Sequence, residues 1–161
     1  MTTTLSGAFF VLRERYRLAD LKELERALGL LENHMAYLSE PLPEVFFSIS
    51  CKTGGMVGLI LQETAEEMAR RQQETAEEIW ERVWQKYLPK TYFTAVDLEA
   101  ILHFGQTLGF LDQKQQVGSA KLLLGYLRET QASLQRKLEK NGRLYYGMGM
   151  LGGILLVVVL L

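Results

Sequence analysis

The sequence predicts an all-α protein in which a bundle of six helices is followed by a C-terminal transmembrane helix. Three observations predict this class. Apolar residues recur at spacings of three and four along most of the chain, which is the periodicity of amphipathic helices. The alternation of apolar and polar residues that is typical of strands is absent. The last 18 residues carry no charge, although 23% of the 161 residues are charged.

The first three helices are separated by proline and glycine. The apolar seam of the first helix consists of Leu21, Leu24, Leu28, Leu31, Met35 and Leu38. A seam of this kind packs against a partner. The Pro-Leu-Pro sequence at 41–43 ends this helix, and Pro43 is suited to open a short second one. A turn at 52–55 follows, and a third helix begins at Met56.

Capping signals mark the next three helices. Thr75 and Glu78 have the spacing of a capping box, in which each side chain satisfies a free backbone N–H group of the other residue. Thr94 and Asp97 form a second, weaker box. After Gly109, the sequence predicts that Asp112 caps a long sixth helix that runs to 141–142.

Residues 144–161 are predicted to form the membrane span. As a helix they are roughly 27 Å long, close to the hydrocarbon thickness of a bilayer. A buried core helix is the alternative, but five turns without a polar face are rare in a small domain. The residues that define the span, including the interfacial tyrosines and the small residues that permit close helix approach, are Leu144, Tyr145, Tyr146, Gly149, Gly153 and Leu161.

Basic residues directly precede this span: Arg136, Lys137, Lys140 and Arg143. By the positive-inside rule they stay in the cytoplasm. We therefore expect a protein of the cell membrane, with a cytoplasmic helical domain at 18–143 and the C-terminus outside. The short apolar segment within residues 1–17 is too short to cross a bilayer. It is either an interfacial segment or the remnant of a first membrane span.

Composition and motifs argue against several function classes. The 18 basic and 19 acidic side chains nearly cancel, so the basic surface of a nucleic-acid binder is missing. His34 and His103 lack the spacing of metal ligands, and no phosphate loop or nucleophile motif occurs. We expect the single cysteine, Cys51, to be a small buried residue. The sequence thus predicts no enzyme activity, no metal or cofactor and no small-molecule substrate.

Glutamates are concentrated in the third and fourth helices. Glu66, Glu67, Glu77 and Glu78 are the candidates for a surface that binds a basic partner. The alternative is an ordinary solvated helical surface.

Several segments together resemble one known family. They are LLENHMAYLSEPLPEVF at 30–46, TAEEIWERV at 75–83, LHFGQTLGFLDQKQQ at 102–116, the long polar helix with its basic end, and the apolar tail. In this order they are similar to the stage III sporulation protein AB family. The order of the segments, the phrase formed by Gly105, Gly109, Asp112 and Gln115, and the apolar tail together carry this resemblance. We interpret the residues of the phrase as a helix-to-helix turn with an N-cap.

The resemblance implies a function. Family members are expected to belong to the secretion-like channel complex that joins mother cell and forespore in endospore formation. The helical domain would be similar to the cytoplasmic domain of the type II secretion platform protein. It would contact other channel proteins and a secretion-type ATPase from the mother-cell cytoplasm.

Two alternatives remain open at this point. One is a platform protein of a true type II secretion or type IV pilus machine, although such proteins carry two copies of the helical domain. The other is a membrane-anchored enzyme or regulator whose site is scattered over the helices.

Overall fold

Every element in the described part of the chain is helical. The computed structural model describes the backbone of residues 2–37, 40–71, 73–109 and 112–160, and the side chains of 9–35, 40–71, 73–109, 112 and 114–140. The helices are α1 (Thr2–Tyr37), α2 (Leu42–Ser50), α3 (Gly55–Arg70), α4 (Ala76–Tyr87), α5 (Ala95–Gly105) and α6 (Gln113–Leu160), with a 3₁₀ turn at Leu88–Lys90. The prediction of an all-α fold with six helices is confirmed for these residues.

The long helices α1 and α6 pack side by side and run in opposite directions. Glu25 on α1 pairs with Arg128 on α6, and Glu32 pairs with Lys121. Residue numbers therefore rise along one helix as they fall along the other. The predicted seam of α1 is buried, since Leu21, Leu24, Leu28, Leu31 and Met35 are each at most 6% exposed. The remaining seam residue, Leu38, lies outside the described residues.

Aromatic rings form the centre of the core. Trp80 on α4 contacts the rings of Phe46, Trp84 and Phe104, with centroids 5.4–5.6 Å apart. Trp84 also meets Phe93 at 5.7 Å. The Trp80 indole N–H donates to the backbone oxygen of Ile101 at 3.0 Å, so its polar atom is satisfied inside the core. This cluster ties α2, α4 and α5 together.

The predicted helix starts agree with the structure. Capping boxes are formed by Thr75 with Glu78 and by Thr94 with Asp97, and the Asp112 carboxylate accepts from the backbone N–H of Gln115 at 2.9 Å. Helix α2 begins at Leu42, one residue before the predicted start at Pro43. Short-range capping chemistry depends only on neighbouring residues, and this is why the sequence reveals it.

Two local predictions were wrong. Helix α6 does not end at 141–142 but continues to Leu160. Asparagine and glycine lower helix propensity by at most about 1 kcal/mol each, which long flanking helical segments outweigh. Cys51 is exposed rather than buried, because it lies in the turn after the last residue of α2.

Candidate functional site

The most buried charged group lies where α1, α5 and α6 meet. The Asp97 side chain is fully buried, and its two carboxylate oxygens accept from Nε and Nη2 of Arg17, each at 2.9 Å. The Tyr126 hydroxyl donates to Oδ1 at 2.8 Å. The backbone N–H and the hydroxyl of Thr94 both donate to Oδ2, at 2.7 and 2.9 Å. Five donors from three helices thus converge on one carboxylate.

The protonation states of this network are fixed by its contacts. Burial raises the pKa of Asp97, but the hydrogen bonds from Arg17, Thr94 and Tyr126 outweigh it and hold that pKa below its ordinary value. Burial and the contact with Asp97 raise the pKa of Tyr126. Around neutral pH the carboxylate is therefore charged and the phenol neutral. Both carboxylate oxygens accept hydrogen bonds, so the network joins the helices from which the donors come.

The sequence interpretation missed this network. It assigned Asp97 to a helix cap alone, and Arg17 was not connected with it. The two residues are 80 positions apart, and one sequence carries no signal for a pairing at that distance. Tyr126 is 29 positions from Asp97, so the capping box with Thr94 is the local signal at this site.

The four predicted partner-binding glutamates differ in how far the fold engages them. Glu67 pairs with Arg71 at 2.8 Å and with Arg82 of α4 at 3.1 Å, so it joins α3 to α4. Glu78 accepts from the backbone N–H of Thr75 in the capping box. Glu66 pairs along its own helix with Arg70 at 3.1 Å, and Glu77 lies in the first turn of α4. The binding role of this surface stays a prediction.

Neighbouring glutamates on this surface also have basic partners. Glu74 pairs with Arg71 and Arg82, at 2.8 and 2.5 Å. Glu63 pairs with Lys86 at 2.5 Å and accepts from the Tyr87 hydroxyl. These hydrogen bonds, from Lys86 first, hold the pKa of Glu63 below its ordinary value. Much of the acidic charge that the sequence suggests is therefore balanced within the protein.

The glycine phrase lies in the connection between α5 and α6. Gly105 ends α5 against the Trp80 indole, and a Cβ placed there would lie 2.2 Å from Cδ1 of that ring. Gly109 has a φ of 114°, a conformation that favours glycine. Asp112 caps α6 by accepting from the N–H of Gln115. Packing at Gly105, a glycine backbone conformation at Gly109 and the cap formed by Asp112 and Gln115 thus account for the phrase.

The histidines do not join any cluster of ligands. His34 lies 3.5 Å from Glu40, and His103 is exposed on α5. Within the described residues, no group of three or more His, Cys, Asp or Glu side chains could hold a metal ion.

The predicted basic flank lies on α6 beside the beginning of α1. Lys137 and Lys140 line one cavity with Phe10 and Val11 of α1. Arg136 is also exposed, and the side chain of Arg143 lies outside the described residues. The short apolar N-terminal segment is part of α1, which runs without interruption from Thr2.

The predicted membrane span at 144–161 lies outside the residues whose side chains are described. Its defining residues are Leu144, Tyr145, Tyr146, Gly149, Gly153 and Leu161. Where side chains are described, no helix includes a segment that is both long and apolar enough to cross a membrane. The backbone of α6 is helical as far as Leu160.

Comparison with known proteins decides the family. The profile described as "Stage III sporulation protein AB (spore_III_AB)" matches residues 1–161. The chain belongs to this family. The stage III sporulation protein AB of Bacillus subtilis (strain 168) is 24% identical to this chain over 161 residues. The match covers 100% of this chain and 94% of the relative. The resemblance inferred from the sequence motifs is confirmed.

A solved structure shares the fold of the chain described here. It is described as stage III sporulation protein AB (SpoIIIAB), and it superposes with a TM-score of 0.72 at 22% identity. The match covers 77% of this chain and 97% of the solved chain. At this identity the likeness concerns the fold alone.

Proposed function

We propose that this chain is a non-enzymatic, membrane-anchored component of the secretion-like channel complex between mother cell and forespore in endospore formation. The family match over all 161 residues supports a role in sporulation. A match to one sporulation family along the whole chain also favours this role over that of a secretion or pilus platform protein. In this proposal the helical domain lies in the mother-cell cytoplasm, and the C-terminus lies outside.

The antiparallel pairing of α1 and α6 is the observation that carries the membrane anchor. Gln131 on α6 donates to the Leu21 backbone oxygen, and Arg128 pairs with Glu25. Continuing this register brings residue 13 beside residue 140. The apolar segment at 5–12 therefore belongs to the same end of the helix pair as the uncharged tail at 144–161. Arg13 directly follows the apolar segment, and this register places it at the level of Lys140 in the basic flank of α6, as expected at a membrane interface.

Membrane anchoring is tested by extraction. The full chain, expressed in a spore-forming bacterium, is expected to remain in the membrane pellet after alkaline carbonate treatment. A variant that lacks residues 144–161 is expected to appear in the supernatant. If the full chain is extracted as completely as the shortened one, the anchor is wrong.

The sporulation role is tested by complementation. Deletion of the corresponding gene in a spore former is expected to block late forespore gene expression, and the full chain is expected to restore it. A deletion strain that sporulates at the parental frequency would contradict the proposal.

We also propose that the surface of α3 and α4 docks other channel proteins, including a secretion-type ATPase. Glu66 and Glu77 are the suitable probes, because Glu67 and Glu78 have roles in the fold. The double variant Glu66→Lys/Glu77→Lys is expected to reduce co-purification of the ATPase several-fold. Glu99→Lys/Glu129→Lys reverses two exposed charges on α5 and α6 and serves as the control. If both double variants co-purify the same amount of ATPase, the acidic surface is an ordinary solvated helical surface and does not bind this partner.

A further inference from the structure

A cavity of about 150 Å³ lies between the beginning of α1 and the polar part of α6. The cavity walls combine three kinds of side chain: apolar (Phe10, Val11, Leu134 and Leu138), basic (Arg17, Lys137 and Lys140) and acidic (Glu14). A site with an apolar wall and a few polar groups is suited to an amphipathic ligand.

The apolar side of the cavity continues into an exposed apolar surface. Phe10 is 58% exposed, and its neighbours Phe9 and Leu12 are 72% and 48% exposed. Three large apolar side chains this close together are unusual on a surface that faces water only. They extend from the cavity toward the N-terminal end of α1, which is the end proposed to enter the membrane.

The two lysines of the cavity lack the ion-pair partners that other basic residues of α6 have, whereas the third cation of the cavity, Arg17, is paired with Asp97. Farther from the N-terminal end of α1, Arg128 contacts Glu25 at 2.7 Å and Lys121 contacts Glu32 at 3.6 Å. For Lys137 and Lys140, no ion pair is found among the described side chains. Their charge is thus available to an anion that comes from outside the protein.

Glu14 supplies a hydrogen-bond acceptor in the same cavity. One of its carboxylate oxygens is buried without a hydrogen-bond partner among the described residues. That oxygen lies 3.8 Å from Nη1 of Arg17, which is too long for a hydrogen bond. A buried carboxylate oxygen needs a donor, and leaving it without one is costly.

We propose that this cavity binds a phospholipid of the phosphatidylglycerol type, which combines an anionic phosphate with headgroup hydroxyls. The phosphate is held by Lys137 and Lys140, and a headgroup hydroxyl donates to Glu14. One acyl chain follows the apolar surface past Phe10. The proposal rests on the proposed membrane anchor and adds a specific lipid to it.

The test uses the full chain in a non-ionic detergent. It is titrated with phosphatidylglycerol, phosphatidylethanolamine, phosphatidylcholine or phosphatidylmethanol of identical acyl chains, and native mass spectrometry measures the fraction that retains one lipid. Phosphatidylglycerol is expected to be retained best. Phosphatidylmethanol has the same charge but no headgroup hydroxyl, so its affinity is expected to be at least about tenfold lower, the value of one hydrogen bond to a charged group.

Variants separate the three contacts. Lys137→Gln/Lys140→Gln is expected to lower the affinity for phosphatidylglycerol by roughly 30-fold, because each basic residue near an anionic lipid contributes about a factor of five. Phe10→Ser is expected to lower the affinity for all four lipids. Glu14→Ala is expected to remove the difference between phosphatidylglycerol and phosphatidylmethanol.

The matched control is Lys114→Gln/Lys121→Gln, which removes two charges from the other end of the same helix. Equal retention of phosphatidylglycerol and phosphatidylcholine by the wild type would overturn the proposal. A loss with the control as large as with Lys137→Gln/Lys140→Gln would also overturn it. Displacement of the lipid by equimolar glycerol 3-phosphate would show that the site binds a soluble phosphate instead.

Failure of this proposal is distinguishable from failure of the anchor. The same variants are extracted with alkaline carbonate, and all of them are expected to stay in the membrane pellet. A chain that stays in the pellet but shows no preference for phosphatidylglycerol refutes the lipid site alone.

Discussion

Replacement of Asp97 by asparagine tests the buried network that joins α1, α5 and α6. Asparagine has nearly the same shape, but its amide nitrogen is a donor where aspartate has an acceptor. Oδ1 accepts from Arg17 and Tyr126, and Oδ2 accepts from Arg17 and from two groups of Thr94. Whichever oxygen is replaced, at least two donors lose their acceptor, and the Arg17 charge keeps only its longer contact with Glu14 at 3.8 Å.

The expected cost is about 3 kcal/mol in the free energy of unfolding. Breaking a buried ion pair by removing one partner costs about 3–5 kcal/mol. The Arg17 side chain is 16% exposed, so water reaches part of its charge and the lower end of that range applies. For a chain of this length, the same loss corresponds to a decrease of roughly 10 °C in melting temperature.

The assay is urea-induced unfolding of the full chain in a mild detergent, with tryptophan fluorescence as the readout. Trp80 and Trp84 are buried in the core, so their emission reports on its opening. Asp112→Asn is the matched control, because asparagine caps a helix as well as aspartate, and we expect it to cost less than about 0.5 kcal/mol. A double-mutant cycle with Arg17→Gln is expected to give a coupling energy above about 1.5 kcal/mol.

Two results would refute the reasoning. A cost for Asp97→Asn no larger than that for Asp112→Asn would mean that the buried network contributes nothing to stability. A coupling energy near zero would mean that Arg17 and Asp97 act independently.

Three further predictions follow from the fold. Gly105→Ala is expected to destabilise the protein by about 2–3 kcal/mol in the same urea assay, because the new methyl group collides with Trp80. Gly118→Ala, where a Cβ meets nothing within 4 Å, is expected to stabilise it by up to about 1 kcal/mol, and equal effects of the two changes would contradict the packing argument. Thr75→Ala removes the acceptor of a capping box, and we expect a loss of about 1 kcal/mol of unfolding free energy; an unchanged urea midpoint would show that the cap is dispensable. The folded-state pKa of Asp97 is lowered, so its stabilisation is present above the unfolded pKa of about 3.9 and is lost as the pH falls through the folded value. The stability difference between wild type and Asp97→Asn is therefore expected to shrink below about pH 4, and a difference that stays constant down to pH 2 would be evidence against the assignment.

The sequence revealed most of the helical architecture, since the signals for it are local. Capping boxes at Thr75 and Thr94 and the cap at Asp112 involve residues three apart, and the structure contains all three. Local signals also explain the wrong predictions. The sequence at 141–142 has the composition of a helix end, but the helical segments on both sides carry α6 through it.

The acidic surface shows a different limit. From the sequence, Glu66, Glu67, Glu77 and Glu78 look equivalent, because composition counts charges without their partners. In the structure Arg82 of α4 reaches Glu67 of α3, and this contact spans 15 positions of the chain. Which glutamates remain for a partner is therefore decided by how two helices pack.

The sequence by itself determined the helical class, the family and the positions of the uncharged tail and basic flank, because periodicity, caps and charge runs are written in neighbouring residues. The tertiary structure alone decided that Arg17 meets Asp97 and Tyr126, and that α1 and α6 are antiparallel, which brings Phe10 to Lys137 and Lys140. In the Asp97 network, the contacts join residues 29 to 80 positions apart. The contacts between α1 and α6 join residues that are still further apart in the sequence. They exist only once the helices have packed, because burial of their apolar seams selects the register in which charged side chains meet.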